Sequence, residues 1–140
     1  MNQIIRRVTV DRTRTPQAAL VATKRQLCVD DNAVKTMPRG EGEEVIVVFF
    51  LVSGFWTDPN LEKECALRGL VPVDPYSLAA VNEDDPAFAD DHPNVTHWQD
   101  AAGNWCYMAF GSFGNERRVS VIRCGYGWDG SFWLAGLHKA

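Results

Sequence analysis

The chain has 140 residues, 46% of them hydrophobic and 23% charged. That is enough for one core without a metal or disulfide staple. Its net charge of −4 argues against nucleic acid as a partner, because nucleic-acid binders present a basic face.

The longest apolar run, Val45–Val52, has eight residues and is too short to cross a bilayer. The first ten residues lack the apolar stretch of a secretion signal. The expectation is a single domain over residues 1–140, cytoplasmic and not membrane-bound. Its four cysteines, Cys28, Cys65, Cys106 and Cys124, are then reduced, and none is spaced from another like a zinc knuckle. Charge is unevenly distributed: residues 1–40 carry a net +5, residues 41–116 a net −12 and residues 117–140 a net +3. Either the basic ends fold back onto the acidic middle or the surface is polarised.

In chain order, Ile4–Val10 is a candidate strand, rich in β-branched residues. Thr15-Pro16 opens a helix expected to run to about Leu27. Residues 30–42 read as loop. Val45–Val52 does not alternate, so it is expected to be an interior strand covered on both faces. Thr57-Asp58-Pro59 caps a helix that Gly69 stops, with Leu61 and Cys65 on its inner stripe. Asp74-Pro75 and Asp85-Pro86 open two more short helices. From Thr96 the period changes to two, and four strands follow: His97–Gln99, Trp105–Phe113, Arg118–Tyr126 and Phe132–His138. The sequence therefore predicts an α+β fold: an antiparallel sheet of about five strands, made of this C-terminal four-stranded meander and the strand near 44–53, packed with three to four short helices.

The turns set a register. A three-residue loop at 101–103 pairs His97 with Tyr107, and one at 114–116 pairs Tyr107 with Arg123. The Asp129-Gly130 turn pairs Arg123 with Gly136. One row across the sheet is then His97, Tyr107, Arg123 and Gly136. Its neighbour is Gln99, Trp105, Gly125 and Leu134. The opposite face collects a core that includes Trp98, Cys106, Met108, Phe110, Ile122, Cys124 and Ala135. In this register Cys106 and Cys124 are cross-strand neighbours, read as two buried thiols rather than a disulfide. The first two rows combine aromatic, cationic and hydrogen-bonding groups with glycines, and a strand glycine marks close approach by a ligand or another chain segment. His97, Gln99, Trp105, Tyr107 and Arg123 are the candidate ligand-binding residues, on a face of the kind that small molecules and peptides use. The bland alternative is an ordinary cation–π pair on a wet sheet face.

His92 and His97 with Asp90 and Asp91 match no metal-ligand spacing, and the acidic run 83–91 lacks the glycine and terminal glutamate of a Ca²⁺ loop. No phosphate loop, nucleophile elbow or dinucleotide fingerprint is present, so no cofactor and no metal are expected. The preferred reading is a non-catalytic binding or interaction module for an unknown protein or small molecule, with a homodimer compatible. One alternative is a small enzyme using the His97/Tyr107/Arg123 face on an anionic substrate, with His97 as acid or base and the 83–91 carboxylates above it. Another is an acidic decoy that binds a basic partner.

Overall fold

A computed structural model describes residues 3–123 and 130–138. In chain order the elements are β1 (Gln3–Thr9), α1 (Pro16–Val21), β2 (Gln26–Val29), α2 (Asp31–Val34), β3 (Glu44–Leu51), α3 (Asp58–Leu67), β4 (Leu70–Pro72), α4 (Pro75–Asp84), α5 (Phe88–Asp91), β5 (Asn94–Gln99), β6 (Trp105–Phe113), β7 (Glu116–Arg123) and β8 (Trp133–His138). Among the described residues no helix is long and apolar enough to cross a membrane.

The helix starts follow local chemistry. The Thr15 hydroxyl accepts from the Ala18 N–H, and Pro16 opens α1. The Asp74 carboxylate accepts from the Ser77 N–H, and Pro75 opens α4. Thr57 and Asn60 form a reciprocal cap at the start of α3. Each cap satisfies N–H groups that the helix cannot pair internally. Three expectations fail locally. Asp85 ends α4 rather than capping a new helix, and α5 starts at Phe88 behind Ala87, without a side-chain cap. The first helix ends at Val21, because the chain turns through Lys24 at φ +59°, and Gln26–Val29 is a strand. The 30–42 loop contains α2, capped by Asp30.

The larger correction concerns the sheet. It is not a five-stranded antiparallel sheet but a single mixed sheet of eight strands, in the order β1-β3-β8-β5-β6-β7-β2, with β4 paired to β8. β2 runs parallel to β7, and β8 runs parallel to β5. The meander has three strands, β5-β6-β7. After it the chain crosses the sheet, and β8 inserts between β3 and β5 instead of pairing with β7. Residue 129 of the expected Asp129-Gly130 turn lies outside the described residues. Gly136 sits where β8 is flanked by both Val48 and Pro72. A Cβ there would come within 3.0 Å of Leu70. The strand glycine thus marks close approach by another chain segment rather than by a ligand.

Helices cover the sheet on both sides. Residues of α1, α2, α4 and α5 pack on one face with Val47, Phe49, Trp98, Met108, Phe110 and Val121. Leu61 and Cys65 of α3 pack on the other with Val48, Phe50, Val95 and Leu134. Val47, Val48, Phe49 and Phe50 are each at most 2% exposed, so the non-alternating run is covered on both faces along its centre, while Leu51 and Val52 at its C-terminal end are half-buried. At the other end Ile46 is 39% exposed. Between α4 and β5, the buried Asn82 and Asn94 side chains exchange two amide hydrogen bonds of 2.9 and 3.2 Å. That pairing removes the cost of burying either amide alone.

The basic ends fold back onto the acidic middle. Arg7 pairs with Glu44, Arg12 with Asp74, Arg14 with Glu83, Arg117 with Asp90 and Arg123 with Asp100.

Candidate functional site

The β5–β6 turn is built by Asp100, whose carboxylate accepts from the Ala102 and Asn104 N–H groups. These hydrogen bonds hold its carboxyl below the usual carboxylate range, with the Asn104 N–H the largest cause. Gly103, at φ +85°, closes the loop. The hairpin therefore pairs His97 with Tyr107 and Gln99 with Trp105, on one face.

The next turn breaks the expected row. Phe113 pairs with Glu116, so the loop is the two residues Gly114-Asn115, with Gly114 at φ +64°. A two-residue turn with a positive-φ glycine first matches the twist of a hairpin. It shifts β7 by one residue against a three-residue loop, which reverses every side chain. Tyr107 pairs with Ile122, and Arg123 pairs with Cys106. Arg123 therefore lies on the opposite face from Tyr107 and His97, where its Nε stands 3.4 Å from Asp100 Oδ2. Ile122, expected in the core with Cys106, is on the Tyr107 face instead. Gly136 does not follow Arg123 in the row: β8 lies at the other side of the meander, next to β5, and Gly136 stands against β3 and β4. Residues 124–126, with Gly125 and Cys124, lie outside the described residues.

His97, Gln99, Trp105 and Tyr107 remain together on the α3 side of the sheet. His97 is not open to solvent: its side chain is 1% exposed. Nδ1 lies 2.6 Å from Asp58 Oδ1, and Nε2 lies 2.7 Å from Glu62 Oε2. Both carboxylates come from α3, four residues apart and so on one helical face. The Trp105 ring stacks on the imidazole at 4.1 Å and 22°. Two such contacts need two hydrogens, and a neutral imidazole supplies only one. The ring carries both, or a carboxyl carries the second. The Glu62 side chain is 50% exposed and the Asp58 side chain 6%, so Glu62 reaches the ring from the solvent side and Asp58 from within. As it stands the cluster is a clamp between α3 and β5, with neither ring nitrogen presented to a ligand. Gln99 donates to the Gly103 carbonyl at 3.1 Å.

Asp58 and Glu62 are the polar partners the sequence reading missed. Their signal was present: an i, i+4 carboxylate pair flanking the Leu61–Cys65 stripe. What it lacked was any indication of which strand the helix would cover. The acidic 83–91 segment belongs to the other face of the sheet, with α4 and α5. There Asp90 is held by Arg117 and Ser112, and His92 packs between Phe88 and Trp133. It forms no roof over His97.

Outward from α3, side chains on β6 and β7 alternate. Cys106, Met108, Phe110, Val119 and Val121 are buried on the far face. Trp105, Tyr107, Ala109, Ser120 and Ile122 are half-buried on the near one. Cys28 of β2, opposite Ser120, extends this surface. Cys28, Cys65 and Cys106 are free thiols. Burial pushes Cys65 up to about 12 and raises Cys106 as well, so neither is poised as a nucleophile. No grouping of three His, Cys, Asp or Glu side chains fit to hold a metal occurs among the described residues. No family model, no curated protein and no solved structure matches the chain.

Proposed function

We propose that the protein is a non-catalytic interaction module, and that it docks a protein partner on the half-buried sheet surface of Trp105, Tyr107 and Ile122. The observation that carries this reading is the alternation along β6 and β7. The far-face residues are fully buried, while the near-face residues, two of them aromatic, are only partly covered by α3. Aromatic side chains on a rigid sheet supply contact area at low entropic cost and are enriched among binding hot spots. The clamp of His97 on Asp58 and Glu62 favours binding over catalysis, because it commits both nitrogens of the one imidazole on this surface.

The test is affinity capture from the native host with the wild type, the Trp105→Ala/Tyr107→Ala double variant and Arg123→Ala, each first shown to be folded. The reading requires a partner identified by mass spectrometry that the double variant loses and Arg123→Ala keeps, since Arg123 lies on the opposite face. A partner retained by all three, or lost only with Arg123→Ala, overturns it. A wild type that retains no partner also overturns it.

A further inference from the structure

A cavity of about 780 Å³ lies away from the Trp105 surface. It is bounded by the end of β1 and the 10–14 loop, by the start of β3 and by α4. Its volume is within the range of small-molecule sites, roughly 300–1,000 Å³. Val8, Val10, Ala19, Tyr76 and Ala79 form an apolar floor.

The walls are held in place. Arg12 donates to Asp74 and Ser77 at the start of α4 and to the backbone carbonyls of Arg39, Glu41 and Gly42. The Tyr76 hydroxyl donates to the Arg14 carbonyl at 2.7 Å. Gly40, at φ +69°, lets its loop pass the Asp74 carboxyl, where a Cβ would come within 2.3 Å.

Five carboxylates and three guanidiniums line the cavity. The guanidiniums are already paired: Arg7 with Glu44 at 2.9 Å, Arg12 with Asp74 at 3.0 Å, and Arg14 with Glu83 at 2.7 Å and Asp11 at 3.6 Å. An anionic ligand would have to break one of these pairs. Glu43 and Asp84, by contrast, have no cationic partner among the described residues. Their places in the fold are well separated. Glu43 adjoins the Arg12 anchor near the start of α4, because its carbonyl accepts from the Val10 N–H at 2.7 Å. Asp84 is the last residue of α4, a ten-residue helix, which spans roughly 15 Å.

We infer that this cavity binds an aliphatic polyamine. One ammonium meets the Glu43–Glu44 rim, another meets the Glu83–Asp84 rim, and the methylene chain lies on the floor made by Tyr76, Ala79 and Val10. A single metal ion cannot span the two rims or use the apolar floor.

Spermidine is titrated into ¹⁵N-labelled full-length protein at physiological salt, with MgCl₂ and inorganic phosphate titrated in parallel. The expected result is saturable spermidine binding, with amide shifts centred on Val10, Ala79 and Ala80. Glu43→Gln/Asp84→Asn, two exposed rim positions, weakens it at least tenfold. Ala80→Leu, which fills the cavity and keeps every charge, weakens it as well. If the double variant fails to fold, the wild-type shift map and Ala80→Leu still decide. The inference is overturned if spermidine does not saturate, if its shifts lie outside these walls, or if the variants bind as the wild type does. It is also overturned if Mg²⁺ displaces spermidine at equal charge concentration, or if phosphate binds in its place.

Discussion

His97 Nδ1 and Asp58 Oδ1, thirty-nine residues apart in the chain, meet at 2.6 Å between α3 and the sheet. Their side chains are 1% and 6% exposed, so the contact is shielded from water and salt. Asp58→Ala leaves Nδ1 buried without a partner and should cost about 2–3 kcal/mol. Glu62→Ala also takes a partner from the ring, but on its solvent side, where water can replace the half-exposed carboxylate at Nε2, and should cost less, about 1 kcal/mol. Urea denaturation of the two variants checks the difference. Equal losses would mean that the clamp does not depend on its buried arm.

The centre of β3 should tolerate no charge on either face. Val47 and Val48 are 0% and 2% exposed and belong to the two opposite cores. Val47→Asp and Val48→Asp each strand a carboxylate and should each cost more than about 4 kcal/mol. Ile46→Thr, at the half-open end of the strand, should cost far less. Thermal melts followed by circular dichroism report all three, and a Val48→Asp variant that melts near wild type would mean that α3 does not seal its face.

Thiol reactivity should follow burial. At pH 8 a thiol pushed up to about 12 is ionised on the order of one part in ten thousand, and the thiolate is the reactive form. Among the three described thiols, iodoacetamide applied to native protein should therefore modify half-buried Cys28 first and leave Cys65 and Cys106 intact until the protein unfolds. Peptide mapping of a time course reads this directly. Early modification of Cys65 would contradict the packing of α3 on Phe50 and Leu134.

Acid should weaken the link between α5 and the β6–β7 hairpin. Hydrogen bonds from Arg117, and secondarily from Ser112, hold the Asp90 carboxyl below its ordinary value. The folded state thus binds this proton less tightly than the unfolded one. The contribution is complete above the unfolded value of about 3.9 and is lost as pH falls through the lower folded value. Asp90→Asn should remove that part of the acid dependence. The effect is small, because both partners are over a third exposed, and 0.5 M NaCl should shrink it further. Urea midpoints between pH 2 and 6 at two salt concentrations measure it. An acid limb identical in wild type and variant would show that the pair contributes nothing.

The sequence by itself determined what short-range hydrogen bonding encodes. The caps at Thr15, Thr57 and Asp74, each with a proline one or two residues on, place three helix starts. The Asp100–Gly103 turn sets His97 opposite Tyr107 and Gln99 opposite Trp105. The absence of alternation through Val45–Val52 announces a strand buried on both faces, which holds for Val47–Phe50 at its centre. Only the tertiary structure decided which strands become neighbours. β2 finds β7 some ninety residues later, β8 crosses the meander to lie between β3 and β5, and β4 fills the place beside Gly136. Such pairings are selected by the packing of whole faces and leave no local mark. The side of the sheet on which Arg123 lies turned on one residue of loop length at Gly114-Asn115, because side chains repeat every two residues and a slip of one reverses them. The meeting of His97 with Asp58 and Glu62 needed the same long-range information. The helix carried its pair of carboxylates in plain view, but only the packed sheet put an imidazole beneath them.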